Sequence, residues 1–225
     1  MALARTTYTP TISNGFSAGT TITISSAVVS GSDKVLYATV MLWQDVAGTG
    51  TVSGITWNTS ENFTKRAEKT VTGGAMRAEI WELKNPTSTT ANIVATISGN
   101  TDARKLGAIL YTGADQTTPT EATQTSEGTS SPITLDITTL TDGADVIDCV
   151  SNFSTATLTV GASQTSFMNN STGSTGAGAS YESKATAGSV TMSWTKTGTD
   201  DWAQVAVSVK PLVTATNTGN FFAIL

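Results

Sequence analysis

The chain has 225 residues, 12 Lys and Arg against 17 Asp and Glu, no His, one Cys and a formal net charge of −5. Its basic residues are scattered, which excludes a nucleic-acid binder, because phosphate contacts need clustered cations. Without His, and with Cys149 alone, the usual zinc and copper sites are excluded and general acid–base chemistry lacks its commonest agent.

The first segment, residues 1–17, alternates poorly and carries Pro10 and Gly15, so it reads as an N-terminal arm rather than a full sheet member. Strand patterns then follow at 20–25, 35–43, 52–57, 62–69, 75–84, 91–98, 104–112, 132–138, 144–151, 156–160, 178–183, 188–195 and 202–210. In Val190-Thr191-Met192-Ser193-Trp194-Thr195, Val, Met and Trp fall on one face and the hydroxyl residues on the other, as in a half-buried strand. Thr fills 45 positions, and β-branched Thr suits a pleated surface that faces water. Turn signals such as Thr72-Gly73-Gly74, Asn85-Pro86 and Asp142-Gly143 separate the runs.

Three runs, Val35–Trp43, Leu106–Tyr111 and Trp202–Val209, are apolar on both faces. One face packs the core, and the other calls for a covering loop or a neighbouring subunit. Residues 116–131 and 163–179 have little to bury and read as surface loops. Short strands in this rhythm predict an all-β fold, a two-sheet antiparallel β-sandwich of jelly-roll type with extended terminal arms. The expected organisation is an arm over 1–17, a sandwich domain over 18–211 and a tail over 212–225.

Candidate chemistry is sparse. Glu79 and Glu82 share a strand, but their odd separation puts them on opposite faces, where they cannot share a substrate. Asp145 and Asp148 face opposite ways for the same reason. Cys149 sits in a strand-like run as a small buried hydrophobe with no His to activate it. Calcium alone stays open, through Asp, Asn and backbone carbonyls, but no segment has the Asp-rich spacing of a helical calcium loop, and the expectation is no catalytic residue, metal or cofactor. Trp43, Trp81, Trp194 and Trp202 lie within strand patterns and belong to the core. Trp57, near a strand end, is the candidate for exposure and hence for stacking on a surface glycan.

After Pro211 a polar spacer leads to Phe221-Phe222-Ala223-Ile224-Leu225. Burying such side chains contributes roughly 1.5–3 kcal/mol each, so Phe221, Phe222, Ile224 and Leu225 are the candidate assembly interface, set either on another subunit or back on the chain's own domain. No apolar stretch matches a secretory signal or a membrane span. The Thr- and Ser-rich surface nevertheless looks extracellular. A virion protein, made in the host cytoplasm and carried out with the particle, reconciles the two.

Four segments together carry a resemblance: Trp81-Glu82-Leu83-Lys84-Asn85-Pro86, Tyr111-Thr112-Gly113-Ala114-Asp115-Gln116-Thr117-Thr118-Pro119, Gly178-Ala179-Ser180-Tyr181 and Trp202–Pro211. Over residues 15 to 211 the chain resembles jelly-roll β-sandwich proteins of tailed phages and bacteria. The resemblance implies a non-enzymatic virion surface protein, foremost a capsid decoration or accessory subunit, with a head fibre as a related role. Its partners would be capsid or other virion proteins and further copies of itself. The alternative is a carbohydrate-binding module or tail-associated adhesin with Trp57 at the contact.

Overall fold

The computed structural model describes residues 2–14, 20–44, 50–74, 76–99, 101–153, 157–171 and 175–213, which form eighteen β-strands and no helix. The N-terminal half supplies β1 (Ala4–Thr7), β2 (Thr11–Asn14), β3 (Thr21–Val28), β4 (Val35–Trp43), β5 (Thr51–Trp57), β6 (Glu61–Asn62), β7 (Thr64–Thr70), β8 (Met76–Lys84), β9 (Thr90–Ser98) and β10 (Ala103–Thr112). They build sheet I, ordered β3-β9-β5-β6, and sheet II, ordered β1-β10-β4-β8-β7 with β2 also pairing β10. The C-terminal half supplies β11 (Thr120–Gly128), β12 (Ile133–Thr139), β13 (Ala144–Asn152), β14 (Thr159–Val160), β15 (Thr165–Asn170), β16 (Gly176–Lys184), β17 (Gly188–Thr195) and β18 (Trp202–Val209). These form sheet III, ordered β11-β18-β13-β16-β15, and sheet IV, ordered β12-β17-β14.

The two halves repeat one plan. Counting β1 with β2, and β6 with β7, as single strands, each half has eight. The first, eighth, third, sixth and fifth form one sheet, and the second, seventh and fourth form the other. This is jelly-roll order, built twice, except that the fifth strand lies beside the sixth in the larger sheet. In the first half the fifth strand changes sheets: β6 pairs β5, Phe63 turns into the core, and β7 continues along β8.

The four sheets stack in the order I, II, III, IV. Leu36, Ala38, Val40 and Leu42 of β4 meet Ile22, Ile55 and Ile93 of sheet I, while Tyr37 and Met41 on the opposite face join Ile147, Cys149, Val205 and Val207 of sheet III. Beyond sheet III, Val146 and Ala206 pack on Leu135, Val190 and Met192, and Val150 and Trp202 pack on Ile133 and Trp194. Strands β4, β10, β13 and β18 are buried on both faces, which explains why each carries apolar residues on both of its faces. The outer strands alternate instead. Val190, Met192 and Trp194 point inward, as their pattern predicts, and the hydroxyl residues between them look outward. The second apolar face of the central strands is thus covered by the other half of the same chain.

Strands β4 and β13 run in the same direction, with Cys149 Sγ against the Val40 carbonyl and Ser151 Oγ donating to that of Leu42 at 3.4 Å. Strand β7 lies over β11 and β18, whereas β10 at the other side meets β15. Lateral order is reversed between the sheets while strand direction is kept. The halves are therefore related approximately by a two-fold axis along the strands.

Three readings change. Residues 4–14, expected as an arm, add two short strands antiparallel to β10, with Pro10 in the break between them where no ladder N–H is needed. The expected loop 116–131 contains β11, whose polar residues suit an edge strand half open to water. The expected loop 163–179 contains β15 and the start of β16.

Candidate functional site

The charged side chains that interrupt apolar strands converge at the junction of sheets II and III. Arg5 of β1 reaches Asp145 of β13, Nη2 donating to Oδ1 at 2.6 Å and Nε to Oδ2. The same guanidinium lies 4.7 Å over the ring of Tyr181. The hydrogen bond to Asp145 outweighs burial and raises the Arg5 pKa further, so this cation is permanent. On the opposite flank, Glu82 of β8 accepts from Tyr37 at 3.1 Å, from Arg66 at 2.6 Å and from the Thr120 hydroxyl of β11. Tyr37 and Tyr111 meet edge to face with centroids 6.0 Å apart, and burial pushes both phenols well above their usual range. Lys69 and the Thr72 amide bind Glu127 at 3.0 and 2.7 Å, a third tie between halves.

Two more carboxylates lie within the halves. Glu79, on the face of β8 opposite to Glu82, accepts from the Trp81 indole at 2.6 Å and pairs with Arg77 and Lys65. The expectation that Glu79 and Glu82 point apart holds, and each is enclosed by its own cations. Asp148 lies between sheets III and IV and accepts from Trp194 Nε1 at 2.7 Å, Gln204 Nε2 at 2.8 Å, the Ser180 amide at 3.0 Å and the Ser180 hydroxyl at 2.6 Å. Its donors are all neutral. Burial outweighs them and lifts this carboxyl to about 6.

Trp57 does not form a surface platform. It is fully buried between sheets I and II, where it lies on the inward side of β5, and its indole donates to the Thr87 carbonyl at 3.2 Å. The segment after Asn85-Pro86 closes over it. Cys149 is likewise buried, and its thiol is pushed well above the usual range by burial. Phe221, Phe222, Ile224 and Leu225 lie outside the described residues, as does the tail from residue 214 onward. Among the described residues no three His, Cys, Asp or Glu side chains are grouped to hold a metal, and no helix is long and apolar enough to cross a membrane.

Two features went unread in the sequence. An open trough of about 590 Å³ runs between the bend at Pro10 and the bulge after Ile24, lined by Thr7, Tyr8, Thr9, Thr11, Thr23 and Ser25 among others, with no charged side chain. Its base is closed by Tyr8 and Thr11 hydroxyls donating to the Val28 and Thr23 carbonyls. On β10, across from Ile12, Lys105 is buried, and burial lowers its pKa to about 8. A charge inside a largely apolar strand is the signal common to Lys105, Asp145 and Asp148, whereas Arg5 lies in a polar segment with no such signal. Such a charge announces a buried partner without naming it. No family model, no curated protein and no solved structure matches this chain.

Proposed function

We propose that the protein is a non-catalytic structural subunit of a virion surface, foremost a capsid decoration or accessory protein. The observation that supports this reading is where the reactive side chains go. Arg5, Glu82 and Asp145 are spent on bonds that tie sheet II to sheet III, Asp148 on bonds to sheet IV and Glu79 on cations within sheet II, while the two outermost faces present hydroxyl residues such as Thr21, Thr96, Thr134 and Thr191 to water. Such a body suits a durable, weakly charged exterior part. The apolar end Phe221–Leu225 would supply attachment to capsid proteins or to further copies. Mass spectrometry of purified particles of the parent virus tests the reading: the protein should be recovered with the particles, and its absence from them overturns the proposal.

The hydroxyl-lined trough favours a second reading, contact with a neutral surface glycan by a tail-associated adhesin. Tyr8 and six hydroxyl residues offer donors, acceptors and one aromatic ring without charge. Binding on an array of neutral glycans that Thr9→Arg abolishes would favour it over the structural role.

A further inference from the structure

Lys105 leaves β10 on the side of sheet II that faces sheet III, and only 2% of its surface is exposed. Its ammonium donates to the Thr175 carbonyl at 2.7 Å and the Asn170 carbonyl at 3.3 Å. It makes no ion pair with a carboxylate among the described residues. An ammonium has three N–H groups, so one has no acceptor among the described residues. Beside it lies a cavity of about 10 Å³ lined by Met41, Trp43, Lys105, Ser151, Thr175 and Gly176. Among the described residues, two polar atoms of that lining, Trp43 Nε1 and Thr175 Oγ1, are buried with no hydrogen-bond partner. Thr175 is 3% exposed.

The chamber therefore gathers an ammonium N–H, an indole N–H that can only donate, and a hydroxyl, around a cation without a counter-charge among the described residues. Burying an uncompensated charge and leaving donors unmet are both costly. A water in this space could accept from two donors but would leave the charge uncancelled. A single anion accepts from all three and cancels it. The space is about one water-sized sphere, which admits a halide and excludes phosphate or sulfate. We propose that this chamber binds one monatomic anion, chloride in ordinary buffers, held by Lys105, Trp43 and Thr175. Because Met41, Trp43 and Lys105 come from one half and Ser151, Thr175 and Gly176 from the other, the ion would also fasten the two jelly rolls together.

The test is thermal unfolding of the full chain in rising sodium chloride or bromide against sodium gluconate at matched ionic strength. The halides should raise the midpoint along a saturating curve that gluconate does not reproduce. Trp43→Phe keeps the ring against Phe153 but removes a donor, and should raise the half-saturating bromide concentration at least threefold. Crystals grown in bromide should show an anomalous peak between Lys105 and Trp43. Coincident curves in halide and gluconate overturn the proposal and leave an ordered water only. A halide effect unchanged in both Trp43→Phe and Lys105→Met places the ion elsewhere and overturns it equally. Should Lys105→Met not fold, Trp43→Phe alone decides.

Discussion

The Trp194 indole donates to Asp148 at 2.7 Å, and the Trp81 indole donates to Glu79 at 2.6 Å. Each jelly roll thus fixes a buried carboxylate with a tryptophan, but the two sites differ in charge. Glu79 also meets Arg77 and Lys65, whereas Asp148 meets only amides, a hydroxyl and the indole. Opposite charges at Glu79 offset part of the cost of burying a carboxylate. Neutral donors compensate burial only in part.

The first prediction follows from that difference. Asp148 titrates at about 6 in the folded protein against a reference of 3.8. Between those values the folded chain holds the proton more tightly than the unfolded chain, so stability falls as pH rises through the window. The full span is on the order of 3 kcal/mol. Chemical denaturation should give greater stability at pH 4.5 than at pH 7.5. Asp115 and Glu127 are held below the usual range by hydrogen bonds to Thr118 and Lys69, so their contributions are lost only at more acid pH. In Asp148→Asn the dependence should flatten, and an unchanged slope would show that another group carries it.

Trp194→Ala should cost about 3–5 kcal/mol, since it empties a fully buried aromatic site between sheets III and IV. Trp194→Phe separates the two roles of the side chain: packing is largely kept while Asp148 loses a donor, for about 1–3 kcal/mol. Gly178 gives a check from the other side, because a Cβ there would lie 2.8 Å from the indole ring. Gly178→Ala should destabilise by about 1–3 kcal/mol through overpacking. Urea midpoints of the three variants order these effects, and a near-silent Gly178→Ala would place the ring elsewhere.

Local patterns carried most of the strands into view, but not the number of sandwiches. Alternation in Val190–Thr195 and continuous apolar runs in Val35–Trp43 are properties of single strands, set by how many faces each one buries. The duplication is different. Strands β4 and β13 occupy equivalent places with almost unrelated residues, so the repeat lies in pairing order, which no short window contains. Strand β11 escaped because an edge strand can be polar on both sides, and its register is fixed by β18 rather than by its own pattern. Trp57 was misplaced because position near a strand end says nothing about what the next loop covers.

Trp57→Ala is accordingly a stability variant. It should cost about 3–5 kcal/mol by opening the core between sheets I and II. Trp57→Phe should retain the fold and lose only the bond to Thr87. Circular dichroism melts distinguish this from a surface role, for which the midpoint would stay within about 1 °C of wild type.

The last prediction concerns the tie between the halves. Asp145 is 1% exposed and Arg5 is 25% exposed, so the pair is buried on one side and open on the other. Removing the cation alone leaves the Asp145 carboxylate in the junction without its charge partner. Arg5→Ala should therefore destabilise by about 3 kcal/mol, at the low end for a broken buried pair because the outer edge of the guanidinium reaches solvent. Arg5→Ala combined with Asp145→Ala removes the stranded charge as well. The double variant should recover much of the loss, giving a coupling of at least about 1.5 kcal/mol in a double-mutant cycle. The pair Lys210 and Asp115 at the surface provides the control, and Lys210→Ala should cost no more than about 1 kcal/mol. Equal effects at the two pairs would mean that Arg5 contributes no more than a surface charge, and that apolar packing of β4, β8, β13 and β18 alone holds the jelly rolls together.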